Sequence, residues 1–426
     1  MKPFRLLTYI IMCTLVAGCS HHDDEPVLPR KEGRRTVLIY QCAQNSLGYY
    51  NYHRQDSLEL MDGLRYLDKS DRLLVFTDDG KGAPRLYRYM AGKKEPQLLR
   101  TWDGPVDASD PAVLQEVLTW TREHFPAAEY GLVLWSHADG WLPSTNTDYA
   151  AVRPRSFGVD VGPGGSMASD RDANGRLGTQ MDISAMAEAI AGSGLHAKYI
   201  FFDACMMQTL EVAYELRRVT DYIVASPIAT PVSGAFYTHM LRSGLFSDDP
   251  ADIARTFYAD VVEDAAVAPR YGGYGLVVSC LKTEGMESLA EATRQVLPFA
   301  SLMGHTSPDM SGVQSYYPYV SSYFYRPHAY DAQDAMRCLL PEAQYNAWCE
   351  ALSRVVVYKA ASSQVWVGPS SFTYYTVDAA HTCGVSMFVP QARYADNAAN
   401  CAFGDHNENF RHTAWYAACD FAQTGW

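Results

Sequence analysis

The stretch from Tyr199 to Leu216, YIFFDACMMQTLEVAYEL, decides the fold. Its first four residues form an apolar, aromatic and β-branched run, which predicts a strand buried on both faces. Its second half spaces apolar side chains as in a partly buried helix. Asp203, Ala204 and Cys205 lie between the two, where a strand ends and a helix begins. In open α/β sheets, ligands bind at such strand ends.

A second stretch, Tyr130 to Trp141, reads YGLVLWSHADGW and combines another buried-strand run with His137 and a glycine turn. The ends of parallel strands meet at one edge of a sheet, so we expect His137 and Cys205 to face each other there. A thiol just ahead of a helix N-terminus favours the thiolate, and Cys plus His is the minimum for an activated thiol nucleophile. Alone, such a Cys is more often a small buried apolar residue, and such a His a structural one.

Together these motifs resemble the clostripain-like cysteine peptidases, which share a clan with caspases, gingipains and legumain. The family's His-Gly-x-Gly-Trp turn corresponds to HADGW at 137–141, and its Asp-Ala-Cys-x-Met-Gly strand end corresponds to DACMMQ at 203–208. The following EVAYEL at 211–216 also matches. The resemblance extends from about Arg35 to Pro390.

The predicted fold class is α/β. The pattern predicts helices over 58–67 and 111–125, a strand over 274–280 and a late strand over 384–390. The alternation of strands and helices predicts a largely parallel sheet covered on both faces. The resemblance implies a caspase-like peptidase core over 35–285. Residues 286–426 are predicted to form a helical and mixed C-terminal extension packed on this core.

The resemblance also implies the chemistry. Cys205 would attack a peptide carbonyl to form a thioester, and His137 would transfer the protons. The backbone N–H groups of Ala138 and Cys205 would form the oxyanion hole. Ala138 and Gln208 replace glycines of the family, which is compatible with activity only where the backbone does not require positive φ.

In the family, the residue matching Asp203 lines a pocket for Arg or Lys before the cut. A second acidic residue usually comes from the loop after the next strand, but the matching residues 226–236 contain no carboxylate. Ser233 is the candidate substrate contact in that loop. Cleavage after Arg or Lys is therefore expected, a small or neutral residue is the competing hypothesis, and Asp203 could instead cap backbone donors.

The N-terminus is typical of a bacterial lipoprotein. Residues 1–18 have a basic start and an apolar core too short for a lasting membrane span, and they run into the lipobox LVAGC at 15–19. Cys19 is the predicted lipid attachment site, and 19–34 form a spacer. The protein is thus expected to be anchored in the cell envelope, at the outer membrane, on its periplasmic side or at the cell surface. The alternative is an ordinary secretory signal.

The Gly- and Pro-rich segment 142–179 lies between the two motifs. In related peptidases this region can be cut by the enzyme itself. Arg171 and Arg176 are the candidate cut sites nearer Cys205, and Arg153 and Arg155 lie upstream. A passive surface loop is the alternative. The segment also carries Asp170, Asp172 and Asn174 at positions one, three and five of a calcium loop, but its twelfth position is Met181 instead of Glu.

A net charge of −13 argues against nucleic-acid binding. The cysteines lack metal-site spacing, although Cys338–Cys349 and Cys401–Cys419 could form disulfides. We therefore expect a monomer that acts on polypeptides and needs no cofactor, with calcium as an option. A catalytically weak peptide-binding protein and an adhesive surface lipoprotein remain alternatives, the latter suggested by the tyrosine-rich residues 316–330.

Overall fold

The computed structural model describes residues 31–143, 156–316, 328–366, 374–394 and 405–426. The predicted signal peptide, the predicted lipid attachment site Cys19 and the candidate cut sites Arg153 and Arg155 lie outside the described residues.

Strands and helices alternate along the N-terminal two thirds of the chain. The strands are β1 (Gly33–Cys42), β2 (Arg72–Asp78), β3 (Arg85–Tyr89), β4 (Gln97–Thr101), β5 (Ala127–Trp135), β6 (Phe157–Asp160), β7 (Thr179–Met181), β8 (Ala197–Asp203), β9 (Thr220–Ala225), β10 (Val277–Lys282), β11 (Tyr330–Asp331), β12 (Val356–Ala361), β13 (Gln364–Trp366), β14 (Tyr374–Thr376) and β15 (Ser386–Met387). The α-helices are α1 (Ser46–Tyr49), α2 (Tyr52–Gly63), α3 (Pro111–His124), α4 (Ile183–Ser193), α5 (Leu210–Leu216), α6 (Tyr237–His239), α7 (Ala251–Tyr258), α8 (Met286–Val296), α9 (Ala332–Leu339), α10 (Glu342–Val355), α11 (His406–Arg411) and α12 (Ala414–Ala418).

One large sheet organises the molecule, with strand order β12-β10-β9-β8-β5-β1-β2-β3-β4. The five central strands, β9, β8, β5, β1 and β2, are mutually parallel. Antiparallel strands extend both edges, β10 and β12 on one side and β3 and β4 on the other. The predicted α/β fold with a mostly parallel sheet is confirmed.

Both faces of the sheet are covered. Along β8, Ile200 and Phe202 belong to one buried cluster, whereas Tyr199 and Phe201 belong to a second cluster on the opposite face. Successive side chains of a strand point to opposite faces, so a strand packed on both sides must be apolar throughout. Helices α3, α4, α5, α8 and α10 contribute to the first cluster, and α2, α6 and α7 to the second.

The C-terminal extension packs on the sheet, as predicted. β12 pairs with β10 inside the large sheet, and Ser386 forms a bridge to Thr209, just beyond the Cys205 motif. The proposed boundary between residues 285 and 286 stays a prediction, and the structure shows that the sheet continues across it.

Three predicted elements differ from the observed ones. The helix expected over 58–67 is α2, which ends at Gly63 and is followed by a 3₁₀ turn. The strand expected from Tyr274 starts at Val277, because Gly272, Gly273 and Gly275 have positive φ and keep the chain in a turn. Only Ser386–Met387 of the late strand pairs.

Two further expectations concern cysteines and membrane spans. Cys338 and Cys349 are free thiols, so this pair forms no disulfide, and Cys401 lies outside the described residues. Within the described ranges, every helix is too short or too polar to cross a bilayer.

Candidate active site

The register of the sheet places the two motifs side by side. β5 ends at Trp135 and the neighbouring parallel strand β8 ends at Asp203, and these two residues are paired. His137 and Cys205 each follow two residues later, at the same edge of the sheet. The loops that carry them touch, because a Cβ atom on Gly140 would lie 2.9 Å from the Met206 carbonyl oxygen. Gly140 has φ +80°, which also favours glycine there.

The His137 ring is held by a residue that the sequence did not indicate. Its Nε2 atom lies 2.8 Å from the Ser46 hydroxyl and 3.8 Å from the Asp170 carboxylate. Asp170 is fully buried and accepts hydrogen bonds from the Ser46 backbone N–H at 2.6 Å and from its hydroxyl at 3.2 Å. Ser46 and Asp170 therefore fix one edge of the imidazole.

The turn that carries Ser46 is itself rigidly held. Asn45, which precedes α1, accepts hydrogen bonds from two backbone N–H groups of that helix. Its amide donates to the Cys42 carbonyl, the Ser136 hydroxyl and the Val159 carbonyl. One buried side chain thus connects the end of β1, the His137 turn and β6.

The Cys205 thiol is partly exposed and contacts Thr230, in the loop after β9. The Thr230 backbone N–H donates to Sγ at 3.4 Å, and the Thr230 hydroxyl lies 3.6 Å from it. A backbone donor aimed at sulfur stabilises the thiolate relative to the thiol. The partial positive charge near the sulfur, which the sequence analysis expected from a helix N-terminus, thus comes from the Thr230 N–H group.

The prediction that a helix begins directly after Cys205 is wrong. α5 begins at Leu210 with Thr209 as its N-cap. Cys205 therefore lies ahead of the helix, outside the first turn in which the helix dipole acts. Met206 has φ +59°, and its N–H and that of Gln208 donate to carbonyls of the loop after β9. These bonds hold the segment in a turn and prevent an earlier helix start.

Both departures from the family glycines are accommodated. Ala138 is buried and its φ is not positive, so the turn does not require glycine there. The fully buried Gln208 donates through its amide to the carbonyl and hydroxyl of Ser279 on β10, at 2.7 and 2.8 Å. Its side chain therefore joins the Cys205 turn to β10, which is separated from β8 by β9 in the sheet.

The Asp203 carboxylate points into the face that carries α2 and α6. It accepts hydrogen bonds from the Ala235 N–H at 3.1 Å and the Tyr237 hydroxyl at 3.0 Å. Burial raises the pKa of Asp203 to about 6. Asp203 therefore does bind a backbone donor, and it also lies in an acidic surrounding. Ser233 is half-buried in the same loop.

A second buried carboxylate faces this region from α2. Asp56 is 1% exposed, and burial, followed by the negative charges of Asp203 and Glu59, raises its pKa well above its usual value. One oxygen of Asp56 has no hydrogen-bond partner among the described residues. Glu59, in contrast, forms an ion pair with Arg270. A second carboxylate is thus present near Asp203, on α2.

The loop residues singled out in the sequence have different surroundings. Asp172 accepts the backbone N–H groups of Asn174 and Arg176, whereas Asp170 turns inward toward Ser46. Asn174 and Arg176 are exposed, and the Arg171 guanidinium donates to the Gly175 carbonyl.

Comparison with known proteins agrees with this geometry. The Clostripain family profile matches residues 39–418. A secreted C11 cysteine protease from Bacteroides thetaiotaomicron, solved in complex with an irreversible peptide inhibitor, is 27% identical over 91% of this chain and 99% of its own, with a TM-score of 0.72. An inactive zymogen C11 protease from Parabacteroides distasonis is 26% identical over 92% and 99%, with a TM-score of 0.71. Among curated proteins, none matches this chain. The chain therefore belongs to the clostripain family of cysteine peptidases.

Proposed function

We propose that the protein is an endopeptidase in which Cys205 is the nucleophile and His137 the proton-transfer group. The observation that carries this proposal is the pairing of Trp135 with Asp203, which aligns the ends of two adjacent parallel strands. Both reactive groups come two residues after these ends, so they share one edge of the sheet.

The hydrogen bonds of His137 indicate which ring nitrogen transfers the proton. Because Nε2 contacts the Ser46 hydroxyl, the proposed mechanism assigns proton exchange with Cys205 to Nδ1. The Cys205 sulfur attacks the scissile carbonyl, and the thiol proton moves through His137 to the leaving amine. Water then gives a proton to His137 and hydrolyses the thioester, which restores the thiol. The buried Asp170 charge stabilises the imidazolium formed in each half-reaction.

Backbone donors of Ala138 and Cys205 would stabilise the oxyanion. Ala138 forms an antiparallel bridge with Phe157, and the flanking bonds join Gly158 to His137 and Asp139 to Ser156. Ala138 is thus in the non-hydrogen-bonded position of the bridge, and its N–H points away from the Phe157 strand. This direction supports a role for that N–H at the reaction centre.

A basic residue before the cut fits the charge of the proposed specificity pocket. Asp203 and Asp56 place two carboxylates on one buried face, and the negative charge of Asp203 raises the electrostatic cost of ionising Asp56. A guanidinium or ammonium group would relieve that cost, whereas a neutral side chain would not. Ser233 lies in the loop that contacts Asp203 and would contribute a substrate contact.

Self-cleavage within 142–179 is proposed as the activation step, with Arg176 as the main site and Arg171 as the second. Arg176 is exposed, whereas Arg171 is partly buried and holds the Gly175 carbonyl. The similar protein from Parabacteroides distasonis is described as an inactive zymogen, which supports a latent form.

We also propose that the mature protein is anchored to the cell envelope by a lipid on Cys19. The lipobox at 15–19 supports this location. The similar protein from Bacteroides thetaiotaomicron is described as secreted, which agrees with export.

Covalent labelling tests the proposed nucleophile. A peptidyl acyloxymethyl ketone with arginine next to the warhead should label the wild type, and Cys205→Ala and His137→Ala should each abolish labelling. Cys338→Ala is the matched control, because Cys338 is an exposed free thiol on α9. Equal labelling of the wild type and Cys205→Ala would contradict the proposal.

A further inference from the structure

On the sheet face toward which Asp203 points, the end of α6 and the turn after α7 bring together three side chains of types that can bind a metal ion. His239 ends α6, Asp260 lies in the π-helical turn after α7, and Asp264 follows that turn. One candidate ligand atom from each lies within 4.8 Å of the other two. His239 Nδ1 is 2.6 Å from one Asp260 oxygen. Wide π-turns are frequent at functional sites because they redirect side chains out of the regular helix.

The second oxygen of Asp260 is a separate sign of an absent ligand. Asp260 is 2% exposed, and this buried oxygen has no hydrogen-bond partner among the described residues. A buried carboxylate oxygen without a donor is costly. A cation bound beside Asp260 would remove this cost.

We propose that His239, Asp260 and Asp264 bind a divalent transition-metal ion of the Zn²⁺ type. Imidazole nitrogen and carboxylate oxygen are both zinc ligands, whereas calcium prefers oxygen ligands throughout. The ion would replace the proton between His239 Nδ1 and Asp260, and water would complete the coordination. The positive charge of Arg242 acts on Asp260 as well, and the Phe236 ring packs against His239.

The site would connect the loop that contacts Asp203, in the proposed specificity pocket, to the turn after α7. His239 comes two residues after Tyr237, whose hydroxyl donates to Asp203. Metal binding would therefore hold the segment from Ala235 to His239 against the turn that follows α7. The expected consequence is a more stable fold in the metal-bound protein.

Metal titration of the full chain tests this site. After removal of metals with dipicolinate, Zn²⁺ should raise the melting temperature of the wild type by about 3 °C at a 100-fold excess over Kd, and Ca²⁺ should have no effect. His239→Gln and Asp264→Asn should abolish the shift. The matched control is His196→Gln. His196 forms an exposed pair with Asp221 at 2.8 Å, and among the described residues this pair has no third metal-binding side chain close enough to share an ion.

Two further points make the outcome decisive. His21 and His22 are present in every variant, so the comparison between variants removes any zinc that they bind. If one of the two ligand variants does not fold, Co²⁺ should still give the visible d–d bands of a protein-bound ion with a nitrogen ligand in Cys205→Ala, and the other ligand variant in that background should lack them. Absence of both the bands and the thermal shift, or an equal shift in His239→Gln, would overturn the proposal.

Discussion

The buried carboxylate of Asp170 lies 3.8 Å from the Nε2 atom of His137, and the Ser46 hydroxyl contacts both groups. This arrangement links the segment between the two motifs to the proposed catalytic ring. Asp170, which the sequence suggested as a calcium ligand, therefore helps to hold the His137 ring.

Asp170→Asn should lower kcat/KM by about 10- to 100-fold, because a hydrogen-bonded charge contributes roughly 1.5–3 kcal/mol. The loss should appear mainly in kcat, since Asp170 is not expected to touch the substrate. Asp172→Asn is the control, because the Asp172 carboxylate accepts backbone N–H groups within its own loop turn. If both variants keep wild-type kcat, Asp170 does not support the ring.

Asp56→Asn should reduce the preference for arginine over citrulline before the cut by about tenfold. The variant keeps the shape of the residue and removes one of two negative charges near the bound cation. The ratio of kcat/KM for two peptides that differ only at this position measures the effect. Asp62→Asn on the exposed face of α2 should leave the ratio unchanged, and an unchanged ratio in Asp56→Asn as well would exclude this residue from the pocket.

The same ratio should depend on pH. The pKa of Asp203 is about 6, so below this pH the carboxyl is neutral and attracts a guanidinium only weakly. Selectivity for arginine over citrulline should therefore rise as pH increases from 5 to 7. Taking a ratio cancels the ionisation of the proposed dyad, which affects both peptides equally. A flat ratio over this interval would contradict a role for Asp203 in cation recognition.

The sign for stability is opposite. The pKa of Asp203 in the folded state exceeds its ordinary value of 3.8, so the folded protein binds the proton more tightly than the unfolded chain. The stabilisation from this proton is present at low pH and is lost as pH rises through about 6. Bound cationic peptide should offset the loss.

Gln208→Ala should lower the free energy of unfolding by about 2–4 kcal/mol. It removes the buried bonds to Ser279 and leaves a cavity between the Cys205 turn and β10. Urea unfolding of Cys205→Ala and of the double variant would measure the difference without self-digestion. Gln295→Ala, at an exposed position on α8, should change stability by less than about 0.5 kcal/mol.

Purified wild type should appear as two fragments, and Cys205→Ala should remain intact. Arg176→Gln should slow the appearance of fragments more than Arg171→Gln, because Arg176 is the more exposed residue. Mass spectrometry of the fragments identifies the cut bond, with the exposed Arg65→Gln as control. Fragments in Cys205→Ala would show that another protease is responsible.

The sequence alone was sufficient for the central sheet. Runs such as 37–40 and 199–202 are continuous and apolar, because each strand is packed on both faces. The start of α3 was equally clear, since Asp110 caps it and Pro111 occupies its first turn. The motif ends of β5 and β8 then indicated which edge carries the candidate site.

The supports of the site could not be predicted in this way. Ser46, Asp56 and Thr230 come from separate turns and helices, and only the folded topology brings them near the two motifs. The turn at Met206 was also hidden, because a side-chain-bearing residue with positive φ leaves no local signal comparable to glycine. The buried face of α2 also carries His53 and Glu59, so no apolar pattern on that helix singled out Asp56.

The pairing of Trp135 with Asp203 makes the proposed catalysis depend on residues inside the sheet. A strand repeats every two residues, so a one-residue slip between β5 and β8 would turn each side chain to the other face. Ordinary packing residues such as Val133 and Phe201 prevent that slip. Random mutagenesis should consequently yield folded yet inactive proteins whose lesions lie inside the sheet, one layer away from any reactive atom.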